Sequence, residues 1–273
     1  MPVKRVTMRP KRSLGQNFLK NIGIAEKMAS LAGIGSQDTV VEIGPGRGML
    51  TRVLLKHASY VIAIEKDDHL YENLLDAFSD SNCIQLIHQD ILKSDLGQII
   101  PDRAKIVANL PYNIATQLII RLVDQAHRID SVVVMLQKEV AQRICAHVGD
   151  KAYSYMSVVV AAGFDASTGF LVGPNNFFPK PKVESLVIKL SPKMSPIPPA
   201  DTEVFRSVVA CAFGQRRKTL KNTLARLPDM DEDTLDKLAG YTGIHLGLRP
   251  QDITPEQYYL FSKGYKRFLK RTL

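Results

Sequence analysis

Long apolar runs are missing from this chain. Runs such as Val132 to Leu136 and Val158 to Ala162 fall far short of the roughly 20 residues that a membrane-spanning helix needs, so no membrane partner is expected. Cysteine is scarce too: Cys83, Cys145 and Cys211 are odd in number, far apart and never in a Cys-x-x-Cys pair. That argues against a disulfide framework and against a zinc site, and the three read as buried thiols with no metal. The first twenty residues hold six basic side chains but no apolar stretch of the kind a secretory signal carries, and a cytoplasmic location is expected. Internal repeats and low-complexity tracts are absent as well. With 45% hydrophobic and 23% charged residues, 17 Gly and 15 Pro, the composition excludes collagen, disorder and coiled coil. A length of 273 residues suits one large domain with a small one.

What the chain has in excess is positive charge, +9 in all, with a pI of about 9.4. Three acid-free segments, 1–20, 213–226 and 263–273, carry +16 over 45 residues and leave −7 on the other 228. A slightly acidic body bearing three basic segments suits a polyanion, and the lack of a lipidation motif favours nucleic acid over a membrane surface. Arg12 in the first segment, with Arg216, Arg217, Lys218 and Lys221 in the second, are the candidates for phosphate contacts. Solvated helix faces are often basic too, and Leu220, Leu224 and Leu227 behind the second cluster allow both uses at once.

Ser191 to Ala200 contains Pro192, Pro196, Pro198 and Pro199, a composition that resists helix and sheet, so a linker is expected over 191–200. Before it, β-branched runs at Thr39–Ile43, Val61–Glu65, Ile84–His88, Lys105–Ala108 and Ser131–Leu136 alternate with helical spacing over Leu50–Lys56, Asp67–Phe78 and Thr116–His127. That alternation predicts an α/β domain with a mainly parallel sheet. Ser154–Phe164 is ambiguous, and Lys182–Leu190 is expected to close the sheet as an added strand. After the linker, Glu203–Gly214, Lys218–Leu227, Glu232–Ala239 and Pro255–Lys270 read as helices. The last starts on a capping box, with Thr254 at the cap, Pro255 next and Gln257 three residues on.

The first strand runs into Gly44-Pro45-Gly46-Arg47-Gly48 directly before a helix, where glycine lets the backbone approach a ligand. A dinucleotide fingerprint needs a small residue where Met49 stands, which counts against NAD. The second strand ends in Glu65, placed to accept both hydroxyls of a ribose, and Asp90 follows the third. Carboxylates at successive strand ends fall on the ligand-binding edge of a parallel sheet. With the glycine loop they fit a nucleoside without pyrophosphate, such as S-adenosylmethionine.

The fourth strand runs into Asn109-Leu110-Pro111-Tyr112. An aromatic exocyclic amine is a poor nucleophile because its lone pair is delocalised. If the Asn109 side-chain oxygen and the Leu110 carbonyl accept its two hydrogens, that lone pair is freed to attack a methyl sulfonium. Tyr112 would stack on the base, which must leave its own stack to enter. Phe177 and Phe178, between basic and proline neighbours, offer a second platform; one of the two belongs to the core, and Phe178 is the choice for the base.

These segments, together with Gly15-Gln16-Asn17-Phe18-Leu19, Glu42–Leu50 (EIGPGRGML), Phe177–Ser185 (FFPKPKVES) and Phe213–Asn222 (FGQRRKTLKN), resemble the ribosomal RNA adenine dimethyltransferases, in particular their bacterial small-subunit branch. The resemblance runs in order along nearly the whole chain. It implies a Rossmann-like class I methyltransferase domain over 1–190 with a basic N-terminal arm, and a small all-helical domain over 201–273 that binds RNA or ribosome. It also implies S-adenosylmethionine-dependent dimethylation of two adjacent adenines in the hairpin loop near the 3′ end of small-subunit (16S) rRNA, late in subunit assembly. Asn17, Leu19, Gly44, Glu65, Asp90 and Asn109 occupy the family's cofactor-contacting positions, and Gly46 joins them from the loop. One departure is Ser154-Tyr155 after Tyr153, where the family commonly has Gly-Arg, which bears on RNA docking and not on the chemistry. The rivals are the large-subunit enzyme of macrolide resistance and an assembly factor in which catalysis is secondary. A monomer is expected, since no self-complementary apolar stripe stands out.

Overall fold

The computed structural model describes residues 16–195 and 197–272. Arg12 and most of the N-terminal basic segment lie outside the described residues. Strand β1 (Phe18–Leu19) leads into helix α1 (Ile22–Ala32), whose ends are both encoded locally. The Asn21 side chain accepts the Gly23 N–H at 2.9 Å, and Gly33 stops the helix at φ 63, folding its N–H back onto Ala29 and Ser30.

Strands and helices then alternate: β2 (Thr39–Ile43), α2 (Met49–His57), β3 (Tyr60–Glu65), α3 (Asp68–Ala77), β4 (Ile84–His88), α4 (Leu96–Ile99), β5 (Ala104–Asn109), α5 (Ala115–Val123) and β6 (Ile129–Gln137). The strands lie in the order β4-β3-β2-β5-β6, all parallel. All five strands expected from β-branched runs are present, and their ends differ by one or two residues at most. Val40, Val61, Val107 and Val133 are fully buried and pack with Ala25, Met28 and Ala29 of α1 and Val53 and Leu54 of α2. A strand covered on both faces reads as a continuous apolar run for this reason.

After α6 (Lys138–Ile144), the ambiguous stretch divides into helix α7 (Tyr155–Val160) and strand β7 (Phe164–Val172). Strand β8 (Phe177–Phe178) pairs antiparallel with β1, and β9 (Ser185–Pro192) joins the main sheet antiparallel to β6, followed at the edge by β7. Thus the added strand exists, but both of its faces are covered, with Leu186, Val187, Ile188 and Leu190 all buried. The expected helix Thr116–His127 stops at Val123; Asp124 meets the Arg206 guanidinium at 2.8 Å and a 3-10 turn, Ala126–Arg128, follows.

The chain groups into two compact units. One holds the chain through Leu118 with Arg128–Ala141 and Thr168–Leu190; the other holds Ile119–His127, Gln142–Ser167 and Ser191–Leu273. Within the second unit, α8 (Thr202–Phe213), α9 (Leu220–Leu224), α10 (Glu232–Thr242) and α11 (Pro255–Thr272) share a core with α7. Phe205, Phe261, Tyr153 and Tyr258 are its largest members, and the two tyrosine hydroxyls donate to the carbonyls of Ile253 (3.0 Å) and Pro250 (2.8 Å). A buried phenol needs such a partner. Of the proline-dense stretch, Ser191 and Pro192 complete β9, Ile197 is buried in this core, and Pro199–Asp201 forms a 3-10 turn.

The three cysteines are free, but the expectation that all are buried fails at Cys83, which is exposed at the turn before the edge strand β4; Cys145 and Cys211 are half-buried. No helix among the described residues is long and apolar enough to cross a membrane.

The Thr254 cap forms as its spacing predicts: the Gln257 N–H donates to Thr254 Oγ1 at 3.2 Å, and the Thr254 N–H donates to the Gln257 side chain at 3.0 Å. Replacing Thr254 with Ala should destabilise the second unit by about 1 kcal/mol, read as a lower urea midpoint in far-UV circular dichroism. Glu42, inside β2, is 1% exposed, and burial pushes its carboxyl up to about 8 from 4.5, partly offset by Thr51 at the start of α2. Between those values the folded chain holds a proton that the unfolded chain releases, so stability falls as pH rises through that window. The pH dependence of the wild-type unfolding free energy minus that of Glu42→Gln should slope downward by at most about 1.4 kcal/mol per pH unit from pH 5 to 7.5. Identical slopes would contradict a protonated Glu42.

Candidate active site

The order β4-β3-β2-β5 places a topological switch beside β2, whose neighbours are β3 on one side and β5 on the other. Ligands bind in the crevice beyond the carboxyl ends of such strands. A cavity lies there, lined by the glycine loop after β2, by Glu65 ending β3, by Gln89 and Asp90 after β4, and by Asn109 ending β5.

The loop owes its course to glycine. Gly44, Gly46 and Gly48 have φ of 71, 59 and 74, which side chains rarely adopt. A Cβ on Gly46 would lie 3.0 Å from the Phe18 ring, and one on Gly48 3.0 Å from the ring of Phe78. The Gly46 N–H donates to Glu65 Oε2 at 3.1 Å, while Glu65 Oε1 accepts from the Lys66 and Asp67 N–H groups, each at 2.9 Å. Burial raises the Glu65 carboxyl, and these backbone donors oppose the rise. They also fix its direction and leave lone pairs for further donors. Asp90 is held differently: Lys66 at 2.9 Å lowers its carboxyl, and the Leu92 N–H donates to it at 3.0 Å.

Across the cavity, Asn109 Nδ2 donates to the main-chain carbonyl of Asn17 at 3.0 Å. A carbonyl only accepts, so the amide is oriented by this contact, with its oxygen turned from Asn17. Leu110 beside it is 1% exposed, and its N–H donates to the Met135 carbonyl at 3.3 Å. The half-buried Tyr112 hydroxyl lies 3.0 Å from Ser185 Oγ, and burial raises its pKa.

The structure therefore brings Asn17, Leu19, Gly44, Gly46, Glu65 and Asp90 to one cavity, together with Asn109, Leu110 and Tyr112. Phe178 is not among the lining residues. Alternation along β8 buries Phe177 (2% exposed) and leaves Phe178 outside (47%), with the Arg47 guanidinium over its ring. Three residues went unread in the sequence. Glu42 lines the cavity with Oε2 unpartnered among the described residues; its place at the head of the glycine loop was the available signal. Ser185 and Arg47 gave none, since each acts through a neighbour distant in the chain.

Of the basic candidates, Arg216 donates to the Lys151 carbonyl (2.6 Å) and the Gln251 side chain (3.2 Å), and Lys221 pairs with Glu232 (2.5 Å). Arg217 and Lys218 are exposed. Ser154 starts α7, its N–H donating to Ser157 Oγ at 2.9 Å, and Tyr155 packs half-buried on the core of its unit. Among the described residues no group of His, Cys, Asp and Glu could hold a metal ion.

Comparison with known proteins places this geometry in a family. A model of the family described as ribosomal RNA adenine dimethylase matches residues 7–266. The ribosomal RNA small subunit methyltransferase A of Ligilactobacillus salivarius is 41% identical, covering 84% of this chain and 79% of its own; that of Methylococcus capsulatus is 39% identical, covering 93% and 97%. Among solved structures, a dimethyladenosine transferase from Plasmodium falciparum superposes with a TM-score of 0.76 at 26% identity, over 94% of this chain and 98% of that one. The 23S rRNA methyltransferase ErmE superposes at 0.67 with 25% identity, over 92% and 100%. The glycine loop, the strand-end acids and Asn109-Leu110-Pro111-Tyr112 thus stand in a chain that belongs to the ribosomal RNA adenine dimethylase family.

Proposed function

We propose that this enzyme transfers methyl groups from S-adenosylmethionine to N6 of two adjacent adenines in the 3′-terminal hairpin loop of small-subunit rRNA, acting as a monomer on a late assembly intermediate in the cytoplasm. The observation that carries the reading is the Asn109–Asn17 hydrogen bond, because it turns the Asn109 oxygen away as an acceptor in a cavity next to an aromatic wall. The small subunit is favoured over the large one by the names of the two relatives near 40% identity, against 25% for ErmE.

The cavity's residues fit the methyl donor. Glu65, held by three backbone N–H groups, suits ribose hydroxyls, and Asp90 and Leu19 suit the adenine end. The Glu42 Oε2, unpartnered among the described residues, suits an ammonium group, which would also draw its carboxyl into the ionised form. When bound, S-adenosylmethionine would supply an electrophilic methyl on a sulfonium, whose carbon–sulfur bond breaks on transfer to leave a neutral thioether.

The protein's share is binding and orientation. Asn109 Oδ1 and the Leu110 carbonyl accept the two hydrogens of the target amine, which localises the nitrogen lone pair for in-line attack on the methyl carbon. The proton then leaves to solvent, so no strong base is needed, and the acceleration comes from alignment and fixed dipoles. Tyr112, steadied by Ser185, and Phe178 hold the base by stacking. The exposed Arg217 and Lys218, with Arg12, meet phosphates, while Arg216 and Lys221 carry intramolecular partners as well.

The direct test is labelled methyl incorporation into small subunits lacking the modification, with mass analysis of the nucleosides. Dimethyladenosine from small subunits supports the reading; label confined to large-subunit RNA would replace it with the macrolide-resistance type, and tight subunit binding without label with an assembly factor. Asn109→Ala should lower methyl transfer by about a hundredfold or more while sparing subunit binding, and equal loss of both would refute this division. Glu65→Ala should raise the calorimetric dissociation constant for S-adenosylmethionine by about tenfold or more, whereas unchanged affinity would remove the ribose assignment.

A further inference from the structure

We infer that Arg47 is a positioning residue for the base platform, tying the glycine loop to Phe178 so that the ring offered to the target adenine is set by the loop that lines the cofactor cavity. This deepens the reading above and rests on it for the role of Phe178.

Arg47 sits between the two left-handed glycines Gly46 and Gly48, so its backbone course is dictated by the loop. Its guanidinium carbon lies 4.7 Å from the Phe18 ring centroid and 5.4 Å from that of Phe178. Both distances are inside the roughly 6 Å reach of a cation–π contact. Phe18 and Phe178 face each other in the β1–β8 register, and one planar guanidinium therefore serves both members of a cross-strand pair.

The pair needs such a clasp. Strands β1 and β8 have two residues each, and a two-stranded ribbon that short is marginal alone. Phe177 is anchored in the core, but Phe178 is about half exposed and stands outside that core among the described residues. The contact continues into the cavity: Gly46 lies against Phe18, and its N–H binds Glu65 Oε2. A line of direct contacts runs from the buried carboxylate through Gly46 and Arg47 to Phe178. The face of Phe178 away from Arg47 suits the π-face of a purine that has left its stack.

Two measurements on the full-length protein test this. Hydrogen exchange at the β1 and β8 amides, which needs neither RNA nor methyl transfer, should speed up about tenfold in Arg47→Ala and less in Arg47→Lys, which keeps the charge but not the planar stack. Unchanged exchange would overturn the proposal even if the wild-type enzyme proved to modify a different RNA. In methyl transfer to unmethylated small subunits, Arg47→Ala should lower kcat/KM for the subunit about tenfold, with a much smaller change in the dissociation constant of S-adenosylmethionine and Arg47→Lys recovering part of the loss. Phe178→Leu should make the loss from Arg47→Ala largely disappear, as expected for two residues acting through one contact. Losses that multiply in the double variant, or a weakening of cofactor binding that matches the loss in rate, would overturn it.

Discussion

The hydrogen bond from Asn109 Nδ2 to the Asn17 carbonyl, 3.0 Å long, joins residues 92 apart in the chain. It fixes which end of the Asn109 amide remains as an acceptor, and it holds the segment Gln16–Leu19 along one wall of the cavity. The segment is secured again by the β1–β8 pair, by the Lys20 N–H donating to the Asn176 carbonyl at 2.8 Å and by the Asn21 side chain bonding that of Asn176 at 2.9 Å. The cavity wall, the Asn109 amide and the aromatic ribbon consequently depend on one another. None of them would keep its geometry if the segment before α1 left β8 and the Asn109 amide.

Around that contact the electrostatics are arranged by burial more than by opposite charge. Glu42 and Glu65 are both raised by desolvation, and the nearby Glu65 charge adds to the rise at Glu42. Asp90, with Lys66 beside it, is lowered. Three carboxyls on or just after adjacent strands thus differ in their readiness to ionise.

Much of the fold was legible in the sequence because each signal was local. The valine-rich runs at β2, β5 and β6, the cap at Thr254 and the glycines around Arg47 need no distant partner to be read. Strands β1 and β8 were invisible as strands, since two residues carry no period, and α1 was overlooked although Asn21 and Gly33 mark its ends. The site residues chosen from the strand ends meet at one cavity because a parallel sheet aligns its carboxyl ends whatever the sequence between them. Arg216 and Lys221 show the limit of reading charge alone: their partners, Lys151, Gln251 and Glu232, could not be foreseen from the basic cluster.

By itself, the sequence determined the parallel α/β sheet, the glycine loop, the acids that follow the strands, and the family, because these follow from residue type at short spacing. Tertiary structure decided which way the Asn109 amide faces, which of Phe177 and Phe178 is left outside, what Tyr112 and Arg47 touch, and how far Glu42 is raised. Each of those depends on atoms brought together across tens of residues, and on how much water their packing excludes.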